Sequence, residues 1–109
     1  MANEYKVLGQ TAAASGNDVT LYTVPAGTSA IVSSIVVCNR ENAANTFNIN
    51  VKVGGGVVAD EDRLAFETSI AAKDTVTLTL GITLAETDII SVGASDNNVS
   101  FSAFGTQIT

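Results

Sequence analysis

The sequence predicts an all-β protein, an antiparallel two-sheet sandwich of jelly-roll type with about eight strands. Composition, alternation and turn spacing each point there. Apolar residues make up 46% of the 109-residue chain, with many Thr and Ser and no Trp, and the Val, Ile and Thr among them suit a pleated strand. Apolar and polar residues alternate with period two in several stretches, most cleanly over residues 46–53 and 75–80. Turn-forming residues recur at roughly the 8–12-residue spacing of a sandwich or barrel. A chain of this length predicts one domain over residues 1–109, with 1–18 supplying an N-terminal strand and a flexible arm. A small closed barrel is the alternative container.

Taken in order, residues 4–9 predict an edge strand with Tyr5 and Val7 on one side and Lys6 and Leu8 on the other. Residues 10–18 are small, polar and aperiodic, as in a loop. Val19, Leu21 and Thr23 then alternate with Thr20, Tyr22 and Val24. Pro25-Ala26-Gly27 breaks this strand, because proline presets φ for a turn and glycine permits its closure, and so predicts a hairpin into the next strand. There Ile31, Ile35 and Val37 share one face, and Ala30, Val32, Val36 and Cys38 the other. Apolar residues on both faces predict an inner strand covered on each side.

Residues 39–45 form a polar loop, short enough to predict that the flanking strands pair. In the following strand Phe47, Ile49, Val51 and Val53 point one way and Asn48, Asn50 and Lys52 the other, giving one buried and one wet face. Three glycines, 54–56, end it. Residues 57–59 predict a brief strand before the charged run at 60–63, and Leu64, Phe66 and Thr68 alternate with Ala65 and Glu67 in another strand reaching about Ile70. After a turn at 71–74, Val76, Leu78 and Leu80 face inward from a strand that Gly81 closes. Residues 82–88 are too short for a helix stable on its own and read as a loop packing Ile82 and Leu84 onto the core. Strands at 89–94 and 99–104, joined by a hairpin turn at 96–98, complete the set. In the last, Val99, Phe101 and Ala103 oppose Ser100, Ser102 and Phe104.

Formal net charge is −6, and the five cations Lys6, Arg40, Lys52, Arg63 and Lys73 lie singly along the chain. No basic stripe exists to displace counterions from phosphates, so nucleic acid is not an expected partner. The first residues lack the basic start and apolar core of a secretory signal, and no apolar run approaches the ~20 residues of a membrane span. A soluble protein made in a cytoplasm is expected, with no membrane partner. The lone Cys38 excludes an intrachain disulfide and reads as a small buried hydrophobe.

Catalytic chemistry is poorly provided for. Without histidine the commonest general base and metal ligand are missing, and Cys38 and the serines lack an activating partner. Gly54-Gly55-Gly56 is followed by neither Lys-Ser/Thr nor a helix, so it is no phosphate loop. Asp60, Glu61 and Asp62 are adjacent, whereas a calcium-binding EF-hand loop spaces its ligands at alternate positions. They read as a solvated acidic loop that pairs with Arg63 or with a basic patch on a partner. Neither an enzymatic activity nor a catalytic, cofactor or metal residue is expected.

Residues 21–40, LYTVPAGTSAIVSSIVVCNR, together with Thr46-Phe47, DTVTLTLGITL at 74–84 and SFSAFGTQI at 100–108, resemble a family of small tailed-bacteriophage, cyanophage-like virion structural proteins. The resemblance runs over residues 5–108. It implies a capsid decoration (cement) protein, a trimer on the outer capsid surface of the virion that binds the major capsid protein and clamps neighbouring capsomers. The alternative it leaves open is a tail, baseplate or fibre component that contacts the host surface. Expected partner contacts are Tyr5, Tyr22, Arg40, Asp60, Glu61, Asp62, Arg63 and Phe104. Tyr22 and Phe104 enter because each lies opposite its strand's other apolar residues, as a subunit contact or as a cap on the core rim.

Overall fold

A computed structural model describes residues 3–12, 16 and 18–109. Eight strands form: β1 (Asn3–Thr11), β2 (Val19–Thr23), β3 (Ser29–Asn39), β4 (Asn45–Lys52), β5 (Arg63–Ile70), β6 (Thr75–Leu84), β7 (Ile89–Ala94) and β8 (Val99–Ile108). They make two four-stranded antiparallel sheets, ordered β1-β8-β3-β6 and β2-β7-β4-β5. This is the expected sandwich, and its strand order is that of a jelly roll.

The core lies between the sheets. Val32, Ile35 and Val37 of β3 and Val99, Phe101 and Ala103 of β8 face Ile49 of β4 and Ile90 and Val92 of β7, all at most 1% exposed. Phe47 and Phe101 meet across it edge to face, their centroids 6.4 Å apart, the arrangement that ring quadrupoles favour.

Several local expectations give way. Short connections predicted hairpins between β2 and β3, β3 and β4, and β7 and β8, yet each of these pairs is divided between the two sheets. Their turns arch across the sandwich, so that both strands bury an apolar face in one core. Among the described residues, only β4 and β5 are consecutive in sequence and paired, across the longer connection that holds the three glycines.

Gly54, Gly55 and Gly56 all have positive φ (72°, 82° and 92°), a run that residues with a Cβ adopt only at a steric cost. The brief strand expected at 57–59 is absent, and the chain passes instead into a 3₁₀ turn, Asp60–Asp62. Gly81 does not close β6, which runs on to Leu84.

In β3 the two faces exchange. Its register with β6 and β8 shifts between Val32 and Ser34, so Ala30, Val32, Ile35 and Val37 all point inward despite the odd spacing. A bulge inserts one unpaired residue and reverses the alternation beyond it.

Candidate interaction surface

The outward side of the β1-β8-β3-β6 sheet follows from the ladder register. Tyr5, Thr106, Ile31 and Thr83 form one row across the four strands, and Val7, Phe104, Ser34 and Thr79 form the next. Gln10, Ser102, Val36 and Thr77 make a third row, and Ser100, Cys38 and Thr75 a fourth.

No charged side chain occurs in these rows. The only charged residues in the four strands are Glu4 and Lys6, which alternate with Tyr5 and Val7 and pair with each other at 3.0 Å on the free edge of β1. Tyr5 is 81% exposed, Val7 47% and Ile31 38%. Apolar groups therefore stand in water among hydroxyls, although the pattern of β3 predicted a cover on both sides. Cys38, expected in the core, is half-buried on this outer face with a free thiol.

The opposite sheet is different. Asn48, Asn50 and Lys52 point away from the core as expected, but they are buried, at 7%, 0% and 6% exposure. Gly16 and Asp18 meet this side, with the Gly16 amide donating to the Ala94 carbonyl (2.9 Å) and Asp18 ion-paired with Lys52 (3.0 Å). Asn50 Nδ2 donates to Ser91 Oγ (3.1 Å), and the Glu67 amide donates to Asn48 Oδ1 (2.8 Å).

Burial pushes the Asp18 carboxyl up. Hydrogen bonds from Lys52 and Ser91, with the positive charges of Lys52 and Arg63, outweigh that and hold it below its ordinary value. The expected wet face is an internally satisfied polar layer. Among the described residues, no buried side-chain nitrogen or oxygen lacks a hydrogen-bond partner.

The predicted contact residues divide accordingly. Tyr5 and Phe104 share the uncharged face, in adjacent rows. Tyr22 is 7% exposed and belongs to the core, where its hydroxyl accepts from Gln107 Nε2 at 2.7 Å. The register of β2 with β7 shifts between Thr20 and Tyr22, which turns both Leu21 and Tyr22 inward and removes Tyr22 as a surface contact.

Arg40 binds its own chain, donating from Nη2 to the carbonyls of Ala12 and Asn97. It joins the end of β3 to two other connections. Asp60 and Glu61 are exposed, whereas Asp62 accepts the Ala59 amide at 2.9 Å. Arg63 lies 4.5 Å over the Phe66 ring on the other sheet and does not pair with the acidic run.

Sequence reasoning missed Asn39, placed in a loop but 1% exposed at the end of β3. Its Nδ2 donates to the carbonyls of Ala43 and Ala71 (2.8 and 3.0 Å), and its Oδ1 accepts from the Glu41 amide and Asn45 Nδ2 (both 3.1 Å). One carboxamide thus fastens the β3–β4 loop to the end of β5. A polar residue closing an apolar run was the available signal.

Fold and surface together define a small jelly-roll sandwich with one polar layer sealed by its own chain and one uncharged sheet face left open. No family model matches the chain, and no curated protein matches it. Among solved structures the chain is similar to one in "Structure of infectious bursal disease virus Gx strain", at 14% identity and a TM-score of 0.36. That match covers 98% of this chain and 26% of the other, so this chain spans about a quarter of that neighbour's length.

Proposed function

We propose that the protein is a structural component of a tailed-phage virion, a capsid decoration protein held on the outside of the shell. The uncharged face of the β1-β8-β3-β6 sheet carries this reading. Depletion of charge with retention of aromatic and aliphatic groups is the compositional mark of a protein–protein interface core, and here it extends over a whole sheet. The family resemblance of residues 5–108 agrees with it. Net charge of −6 suits a position away from packaged genome. An assembly that touches several shell subunits at once gains strength from multivalency, because each further contact forms at high effective concentration.

The tail or fibre reading draws on one feature. A hollow of about 340 Å³ on the other sheet is lined by Thr46, Asn48, Arg63, Phe66 and Glu67, placing an aromatic ring beside polar groups as a host glycan would require.

Copy number in purified virions, by quantitative mass spectrometry against the major capsid protein, separates the two. Decoration gives a number comparable to that of the capsid subunit. A few copies per particle would move the protein to the tail, and its absence from particles would refute both.

A further inference from the structure

We infer that the uncharged face of the β1-β8-β3-β6 sheet is covered by a second copy of this chain. The inference names the partner of the surface on which the proposed function rests, but it concerns the isolated protein and stands or falls separately. The β3 strand supplies the first ground. It is interior to its sheet and carries Ile31, Val36 and Cys38 beside Ser34 on its outer side, where Ile31 is 38% exposed and Val36 and Cys38 are only half-buried. Among the described residues nothing completes the cover.

Charge selects the occupant. A partner of another sequence could exploit the net charge of −6 by presenting basic groups to the acidic loops, and a neutral contact face would forfeit that attraction. A second copy carries the same acidic excess, so close approach requires a contact from which like charges are absent. The acidic residues sit mainly in connections, among them Glu41, Asp60, Glu61, Glu86 and Asp96. On the two strands flanking β8 and β3, Glu4 and Lys6 are turned to the opposite side of β1, and β6 has no charge in ten residues.

Size agrees. Four strands at ~4.8 Å spacing and ~35 Å length present roughly 650 Å² in flat projection. That lies within the roughly 600–1,000 Å² per partner of a specific interface. Tyr5, Val7, Ile31, Phe104 and Val36 stand among the hydroxyls of Thr106, Thr83, Ser34, Thr79, Ser102 and Thr77, so a second copy can bury the apolar groups while hydroxyls hydrogen-bond to hydroxyls.

The test is sedimentation equilibrium or native mass spectrometry of the purified chain at about 100 µM, comparing wild type with Tyr5→Lys and Thr79→Lys. Both positions are exposed, so each variant should keep its fold, which circular dichroism verifies. Each substitution also reduces the net negative charge and so weakens general repulsion between copies. Dissociation can then come only from the contact itself.

The expected result is a wild-type mass at least twice the 11.1 kDa of one chain. Each lysine variant should associate at least about a hundredfold more weakly, because a buried unpaired ammonium is costly. A monomeric wild type, or variants that assemble unchanged, would overturn the inference. An assembling chain that is missing from virions supports this inference and removes the virion reading, while a decoration protein that is monomeric when pure does the reverse.

Discussion

At the scale of single residues, Asp18 shows how a charged group contributes when its surroundings are polar and only partly dry. Its carboxylate lies 3.0 Å from Lys52 Nζ, and its side chain keeps 34% of its exposure. A carboxyl held below its ordinary value of 3.8 stabilises the fold fully above that value and loses the contribution as pH falls through the lowered folded-state value. With a third of the group in solvent, the stabilisation is at most about 1 kcal/mol. The stability difference between wild type and Asp18→Asn should therefore be constant above about pH 5 and shrink progressively below pH 3.8. Thermal melts of both proteins from neutral to acid pH check this, and a gap that does not change with pH would mean that the pair with Lys52 contributes nothing through charge. Sequence gave no warning of the pair, since Asp18 and Lys52 are far apart in the chain and the alternation of β4 pointed Lys52 to solvent.

At the scale of elements, the strands were largely legible and their partners were not. Alternation depends on each strand's own side chains, so residues 46–53 and 75–80 announced themselves. Pairing depends on which sheet a strand enters after its turn, and turn chemistry is silent on that. Pro25 and Gly27 break the chain as expected, but the Thr28 amide closing on the Pro25 carbonyl (3.2 Å) serves an arch between sheets as well as a hairpin within one. Bulges were equally hidden, and they decide which side chains reach the outer face. The uncharged surface could thus be read only in part, through Tyr5 and Phe104, because the offset at Ser33 assigns Ile31 and Val36 to the same side despite their spacing.

Glycines test where elements crowd. An added Cβ at Gly9 would collide with the Leu21 carbonyl of β2, whereas one at Gly81 meets nothing within 4 Å. Gly9→Ala should cost about 1–3 kcal/mol by forcing β1 away from β2, and Gly81→Ala should be neutral or stabilising by up to ~1 kcal/mol through a less flexible unfolded chain. Urea midpoints of the two variants measure the contrast. Equal losses would show that the approach of β1 to β2 is not what holds that corner.

At the scale of the whole molecule, the jelly-roll order makes stability depend on strands distant in sequence. β8 pairs with β1 and β3, and β7 with β2 and β4, so the two ends of the chain close one sheet. Such non-local topologies fold slowly and tolerate the loss of a strand poorly. The N-terminal segment is the informative case, because an arm that merely reached for a shell could be removed with little effect on the isolated protein. Residues Asn3–Thr11 instead hydrogen-bond along β8 from Ile108 to Phe101, and Leu8 packs against the core. Deleting residues 1–11 exposes that edge of β8 and uncovers core surface, which should cost about 3 kcal/mol or more of a total near 5–15 kcal/mol. The urea midpoint of the purified truncated chain should fall steeply. The same deletion removes Tyr5 and Val7 from the uncharged face, so self-association should fail with it, whereas Tyr5→Lys should weaken association at least about a hundredfold and leave the midpoint of the isolated chain nearly unchanged. A truncated protein with an unaltered midpoint would mean that β1 is an accessory to the sandwich, and the face it helps build would then be incomplete without a neighbour's strand.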